Sequence, residues 1–353
     1  LYIPNISYND NYVRNGIIDL NSDNGETFIE ITGSYSNYTI VDNYISIDLS
    51  AKNDSLDTNI KWQSIDKDHL QLNLSAQTIF EEFNNQEKWL KSSHQIKDSE
   101  FSYSSTNWDI SDFFIATDSG KISLNNFNLA NNEQNIHADG IISADSTDIL
   151  DITLNNINIE ELFSMLNAKD ASFSGMASAD ISAISLLKDP TFYGNITADN
   201  FSFLGSYGGR LDAEGIWNKE EECIDINATM YDQERTKTIL NGQYTPKDRY
   251  IDILIDANNT DLYFLNTFTK NIFWEVKGNA FGKLRLFGAL DALDLEGTAI
   301  LENGVLDQGI LNTRFIIKHD TLTFKPGKMH FRNVDFYDEF DNKGLLMCDL
   351  SHT

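Results

Sequence analysis

The run "IDILIDA" at residues 251–257 alternates apolar and acidic side chains at almost every step, and few folds tolerate that pattern. Successive side chains of an extended strand point to opposite faces, so a period of two makes one face apolar and leaves the other wet. The pattern recurs along the chain. Ile45, Ile47, Leu49 and Ala51 alternate with Ser46, Asp48 and Ser50; Leu70, Leu72, Leu74 and Ala76 alternate with Gln71, Asn73 and Ser75. Leu150, Ile152 and Leu154 repeat it against Asp151 and Thr153, as do Ile224, Ile226, Ala228 and Met230 against Asp225, Asn227 and Thr229. Parallel sheets are covered on both faces and lose such alternation, so the strands are expected to pair antiparallel. Turn signals separate the runs: "NSDNGE" at 21–26, "GSYGGR" at 205–210 and "TPKDR" at 245–249.

Three segments break the rhythm. "SAQTIFEEF" (75–83), "NNINIEELFSML" (155–166) and "NNTDLYFLNTF" (258–268) open on polar capping residues and then space apolar residues three and four apart, as in Ile159, Leu162, Phe163 and Leu166. Each predicts a short helix directly after a strand. The recurrence exposes an internal repeat, because 155–205 aligns with 258–308 without gaps. Gly175 falls on Gly278, Gly194 on Gly297, Ile159 on Leu262, Leu162 on Leu265, Ile181 on Leu284, Ala183 on Leu286, and Asn200 on Asn303. The unit reads strand, short helix, an "FSG" or "VKG" strand, a second glycine strand and a further strand pair; a third copy is suggested around 75–130. Arrays of amphipathic strands duplicated in this way favour an elongated β-structure over a compact sandwich.

With 41% apolar residues the 353-residue chain can bury a sizeable core, and a formal charge of −28 sets it against nucleic-acid phosphates. Two cysteines, Cys223 and Cys348, give neither a disulfide framework nor a zinc spacing. No run approaches the roughly 20 apolar residues of a spanning helix, and the chain opens at Leu1 without a signal-peptide pattern, which predicts a piece of something longer. Catalytic motifs are missing. His69, His94, His137, His319, His330 and His352 are scattered, with no H-E-x-x-H. "GSYGGR" lacks the ending of a phosphate loop, and no G-x-S-x-G elbow occurs. "DFYDEFDNKG" (335–344) has Asp335, Asp338, Asp341 and Gly344 but not the oxygen spacing of a calcium loop, so it predicts a polar turn. The expectation is a protein without catalytic residues, metal or cofactor.

The order of motifs resembles a known family. "NWDISDFFIATDSGKISLNNFNLANNEQNIHADGIIS" (107–143), "ASFSGMASADIS" (171–182) and "KDPTFYGNITADNFSFLGSYGGRLDAEGIWN" (188–218) look like the C-terminal region of TamB-type (AsmA-like) proteins of bacteria with two membranes. So do "ILNGQYTPKDRYIDILIDANNTDLYFLNTF" (239–268) and "VKGNAFGKLRLFGALDALDLEGTAILENGVLDQGILNTRF" (276–315), and "FRNVDFYDEFDNKGLLMCDLSH" (331–352) is similar to that family's ending. Asn342, Lys343, Gly344 and Asp349 replace its usual Gly-Asn and later Gly. The likeness runs from about residue 101 to 353, with units at about 140–240 and 242–345; residues 1–100 form a β segment of diffuse likeness.

The resemblance implies an all-β, mainly antiparallel, elongated and open β-roll or "β-taco" with an apolar concave groove and a few short helices. It implies a periplasmic bridge that carries phospholipid between inner and outer membranes, anchored through a segment absent from this chain. Its expected partners are phospholipid acyl chains, a TamA-like barrel of the Omp85 type and the rest of the same long chain. On this reading the apolar parity lines the groove, with Leu150, Ile152, Leu154, Ile181, Phe201, Phe203, Ile224, Ile226, Met230, Ile251, Ile253, Ile255, Leu284 and Leu286 as candidates. Two alternatives stand beside it: a scaffold that assembles outer-membrane proteins by pairing strands with them, and a closed β-sandwich that binds glycans.

Overall fold

The computed structural model describes residues 1–8, 11–36, 43–64, 70–84, 89–103, 106–165, 173–231, 237–269, 273–308 and 313–351. The protein is all-β and antiparallel, as the alternation requires, with 23 strands and little helix among the described residues. It divides into two compact units, one of residues 1–155 and 181–191, the other of residues 156–180 and 192–353.

In the first unit, β1 (Tyr2–Tyr8), β2 (Asn11–Asp23), β3 (Glu26–Ser36), β4 (Asn43–Lys52), β5 (Ser55–Gln63), β6 (Gln71–Asn84) and β7 (Trp89–Tyr103) pair successively. The long β7 then pairs with both β8 (Thr106–Ile110) and β9 (Phe113–Asp118), and β10 (Lys121–Asn131) pairs with the same two. β11 (Gln134–Ile142) and β12 (Ile149–Asn158) continue the meander. The "NSDNGE" signal is a two-residue hairpin turn, with Asn24 at φ 50° and Gly25 at φ 80°, the left-handed pair that a tight hairpin needs.

The second unit contains α1 (Ile159–Met165), most of β13 (Phe173–Ile184) and β14 (Thr191–Phe203), and then β15 (Ser206–Asn218), β16 (Cys223–Tyr231), β17 (Lys237–Thr245) and β18 (Tyr250–Asp261). A 3-10 turn (Tyr263–Leu265) runs into α2 (Asn266–Thr269), followed by β19 (Glu275–Ala289), β20 (Ala292–Gln308), β21 (Thr313–Lys325), β22 (Lys328–Tyr337) and β23 (Lys343–Ser351). From β14 onward each strand pairs with the next. "TPKDR" supplies the turn between β17 and β18, as expected.

The repeat has a geometric basis. Asn200 and Asn303 both take the left-handed conformation, φ 52°, inside a strand, and the pairing register shifts at each. Gly175 and Gly278 lie against those bulges: a Cβ on Gly175 would sit 2.9 Å from the Asp199 carbonyl oxygen, and one on Gly278 would sit 2.9 Å from the Asn303 oxygen. A side chain is excluded at both positions, so the glycines match because the bulges match. Helical turns occupy equivalent places, at Ile159–Met165 and at Tyr263–Leu265 with Asn266–Thr269.

Three expectations are corrected. Residues 75–83 are not a helix but lie within β6, which is held on both sides by β5 and β7. Within 155–166 the helix begins only at Ile159, and within 258–268 the strand runs on to Asp261 before the helical turns begin; Leu166 lies outside the described residues. "GSYGGR" is a turn only at its start, since Leu204 and Gly205 make the turn and Ser206–Asn218 is strand. His69 and His352 also lie outside the described residues.

Candidate apolar groove

Residues directly opposite in an antiparallel pair project to the same face, so the register can be followed from strand to strand. One row in the second unit runs Gly215, Ile226, Gly242, Ile253, Leu286, Leu295. The next runs Ala213, Ala228, Leu240, Ile255, Leu284, Gly297, and a third runs Trp217, Ile224, Tyr244, Ile251, Gly288, Leu293. Seven of the expected groove residues in β16, β18 and β19 thus fall on one apolar face, in rows that also contain Trp217, Leu240, Tyr244 and Leu295. Those four were not singled out in the sequence, although their parity with neighbours marks them.

Burial along these rows is graded. Ile224, Ile226, Ile251, Ile253 and Ile255 are half-buried, whereas Leu284 and Leu286 are 4% and 5% exposed. The difference has a cause. Leu284, Leu286 and Leu295 pack with Leu262, which caps the 3-10 turn, with Phe264 and Leu265 of the turn and with Leu301, Ile317, Leu322, Phe324, Phe331 and Val334 in a closed core. Asn266 ties the turn down: its amide donates to the Tyr263 and Val276 carbonyls, and its side-chain oxygen accepts the Val276 N–H at 2.6 Å. Phe201 and Met230 gather elsewhere, around α1, with Ile159, Ala177, Ala198, Phe163, Phe173 and Leu211, and Phe203 packs against both clusters. Phe173 stacks on Phe201 and Phe203 at centroid distances of 6.2 and 5.1 Å.

In the first unit, Leu150, Ile152 and Leu154 stand opposite Gly140, Ala138 and Ile136, and the rows continue to Leu124, Phe127 and Leu129. The Ser182 hydroxyl meets the Asp151 carboxylate on the wet side, so Ile181 projects with Leu150 and Ile152. Leu150 is buried; Ile152, Leu154 and Ile181 are half-buried. A polar group interrupts this face. Thr117 donates to the Leu90 carbonyl, so its oxygen accepts from Ser92; Ser92 then accepts from His94 Nε2–H, and His94 Nδ1 accepts from Thr78. Burial holds the His94 pKa below its ordinary value.

The wet faces carry the charge. Arg285 grips Asp252 through two hydrogen bonds of 2.7 and 2.6 Å and reaches Glu296 at 3.0 Å, which holds the Asp252 carboxyl below its usual range. The acidic stretch at 335–344 is a turn in which Asp338 accepts the backbone N–H of Phe340 and Asn342, while Lys318 and Lys343 pair with Asp341 and Asp335. Among the described residues no three His, Cys, Asp or Glu side chains cluster as metal ligands, and no helix is long and apolar enough to cross a membrane.

A cavity of about 560 Å³ adjoins β4–β8 in the first unit. Its lining comprises the cross-strand row Trp62, Leu72, Phe101, Trp108 and polar rows on either side, which alternate to the other face.

Fold and rows define a class: an antiparallel all-β protein with two-faced sheets and an apolar face that is partly covered by its own helical turns. No protein-family model, curated protein or solved structure matches the chain.

Proposed function

We propose that the chain conveys phospholipid acyl chains along its apolar sheet faces, as a segment of a periplasmic bridge between inner and outer membranes that works with an Omp85-type barrel. The observation that supports this reading is the half-buried stretch of apolar rows across β16–β18, where Ile224, Ile226 and Ile253 lie outside the closed core and are not replaced by polar residues, beside Ile251 and Ile255, which are half-buried against its edge. Each acyl CH₂ in water costs about 0.8 kcal/mol, so a chain of about 15 carbons meets a barrier on the order of 12 kcal/mol that an apolar wall largely removes. The mechanism needs no catalytic residue. Head groups stay in water, where the acidic wet faces keep the protein soluble.

Native mass spectrometry of the purified chain tests the proposal. Phospholipid adducts should be retained under gentle activation and vanish when Ile226 and Ile253 are both replaced by Asp. A chain purified from a lipid-rich lysate that carries no lipid contradicts it.

A further inference from the structure

The apolar face of the first unit changes character near its strand ends. Ile47, Ile60 and Leu74 form an aliphatic row across β4, β5 and β6. Two residues toward the ends of these strands, the row becomes Ile45, Trp62, Leu72, Phe101, Trp108. Tyr35 meets Trp62 edge-on with ring centroids 6.4 Å apart, and Asn43 stands opposite Tyr35. Trp108 is 3% exposed, yet its indole Nε1–H has no hydrogen-bond partner among the described residues; the same holds for Trp62 Nε1 and for Oδ1 of Asn43, itself 3% exposed. Buried polar groups nearly always find partners, so two unpaired indole donors in one cross-strand row call for an explanation.

Indoles are favoured where an apolar phase meets a wet one, because the ring body is greasy and its N–H seeks an acceptor. An acyl chain lying on the aliphatic rows ends, at this rim, in its ester group. We infer that the rim is a docking station for diacyl glycerophospholipids, in which Trp62 and Trp108 donate their indole N–H groups to acyl ester carbonyl oxygens. The inference rests on the proposed lipid-conveying role. Three strand spacings separate the two tryptophans, about 14 Å, so each indole serves its own lipid. The row contains no Lys or Arg, so what is read is the neutral ester level and not the charge of the head group.

The test compares dioctanoyl phosphatidylcholine with its diether analogue, which lacks the carbonyls, by calorimetric titration of the full chain below the micellar concentration. Trp62→Phe and Trp108→Phe should each weaken binding of the ester lipid by about fivefold, the worth of one net hydrogen bond, with the two losses multiplying. Affinity for the diether should not change. Replacing Trp108 with benzothienylalanine keeps the ring shape and removes only the N–H, and it should reproduce the Trp108→Phe loss if phenylalanine disturbs folding. Equal losses for both lipids would mean that the rings act only as apolar surface, and unchanged ester binding would mean that the N–H groups have no acceptor in the lipid; either result overturns the inference and leaves the lipid-conveying reading intact. Failure of the unsubstituted protein to bind either lipid removes both.

Discussion

Ile253 and Leu286 face each other across β18 and β19, yet the structure assigns them opposite tolerance to charge. Leu286 is 5% exposed and packs in the closed core of the second unit. Replacing it with Arg forfeits about 2 kcal/mol of apolar burial and strands an unpaired charge worth about 3–5 kcal/mol more, a sum on the order of a domain's whole stability. Ile253 is half-buried, and its other cross-strand neighbour is Gly242, which has no side chain to block a long stem. Arg at 253 loses about 1 kcal/mol of burial and can extend its guanidinium toward water. Urea denaturation followed by circular dichroism should find Ile253→Arg folded with a slightly lowered midpoint, and Leu286→Arg unfolded or aggregated. If the two variants are equally damaged, the apolar face at β16–β18 is sealed and the reasoning from graded burial fails.

Two further outcomes follow from the same geometry. His94 is held neutral by burial, so its folded pKa lies below its unfolded value of about 6.5. The stability tied to the neutral ring is complete above that pH and is lost as pH falls through the folded pKa; His94→Gln should flatten the melting temperature between pH 7 and pH 5, and an unchanged slope refutes the assignment. A Cβ on Gly242 would overlap the Asp252 carbonyl oxygen, whereas one on Gly215 would come no closer than 3.4 Å, to Ile224 Cγ2. Gly242→Ala should therefore cost about 3 kcal/mol, with Gly215→Ala near neutral in the same thermal melt.

The strands were legible because burial on one face writes a period of two into the sequence: the runs beginning at Ile45, Ile224 and Ile251 became β4, β16 and β18. The segment 75–83 misled for a physical reason. β6 pairs with β7 through two register shifts, at Asn73/Ser75 and Phe80/Glu82, and each bulge resets which parity faces inward. Apolar residues then fall three and four apart in a strand, with Ile79 left 47% exposed, and the spacing imitates a helix. The asparagine bulges were hidden likewise: Asn200 and Asn303 aligned in the repeat, but nothing in their identity announces φ above zero inside a strand. For the groove, sequence parity placed Ile226, Ile253 and Leu286 on one face, while their different burial depends on where the turn at 263–265 packs. That packing joins segments far apart in the chain, which local periodicity does not encode. The rim donors were invisible for the same reason, since Trp62 and Trp108 come into one row only through the successive pairings of β5, β6, β7 and β8.

Site-specific photocrosslinking on neighbouring residues of β16 tests the lipid-conveying role most directly. Benzoylphenylalanine at Ile226 lies on the apolar face, and at Asn227 it lies on the exposed wet face one step along. With liposomes and purified protein under illumination, the account predicts lipid adducts at position 226 and none above background at 227. Equal labelling at both positions, or none at 226, would contradict it.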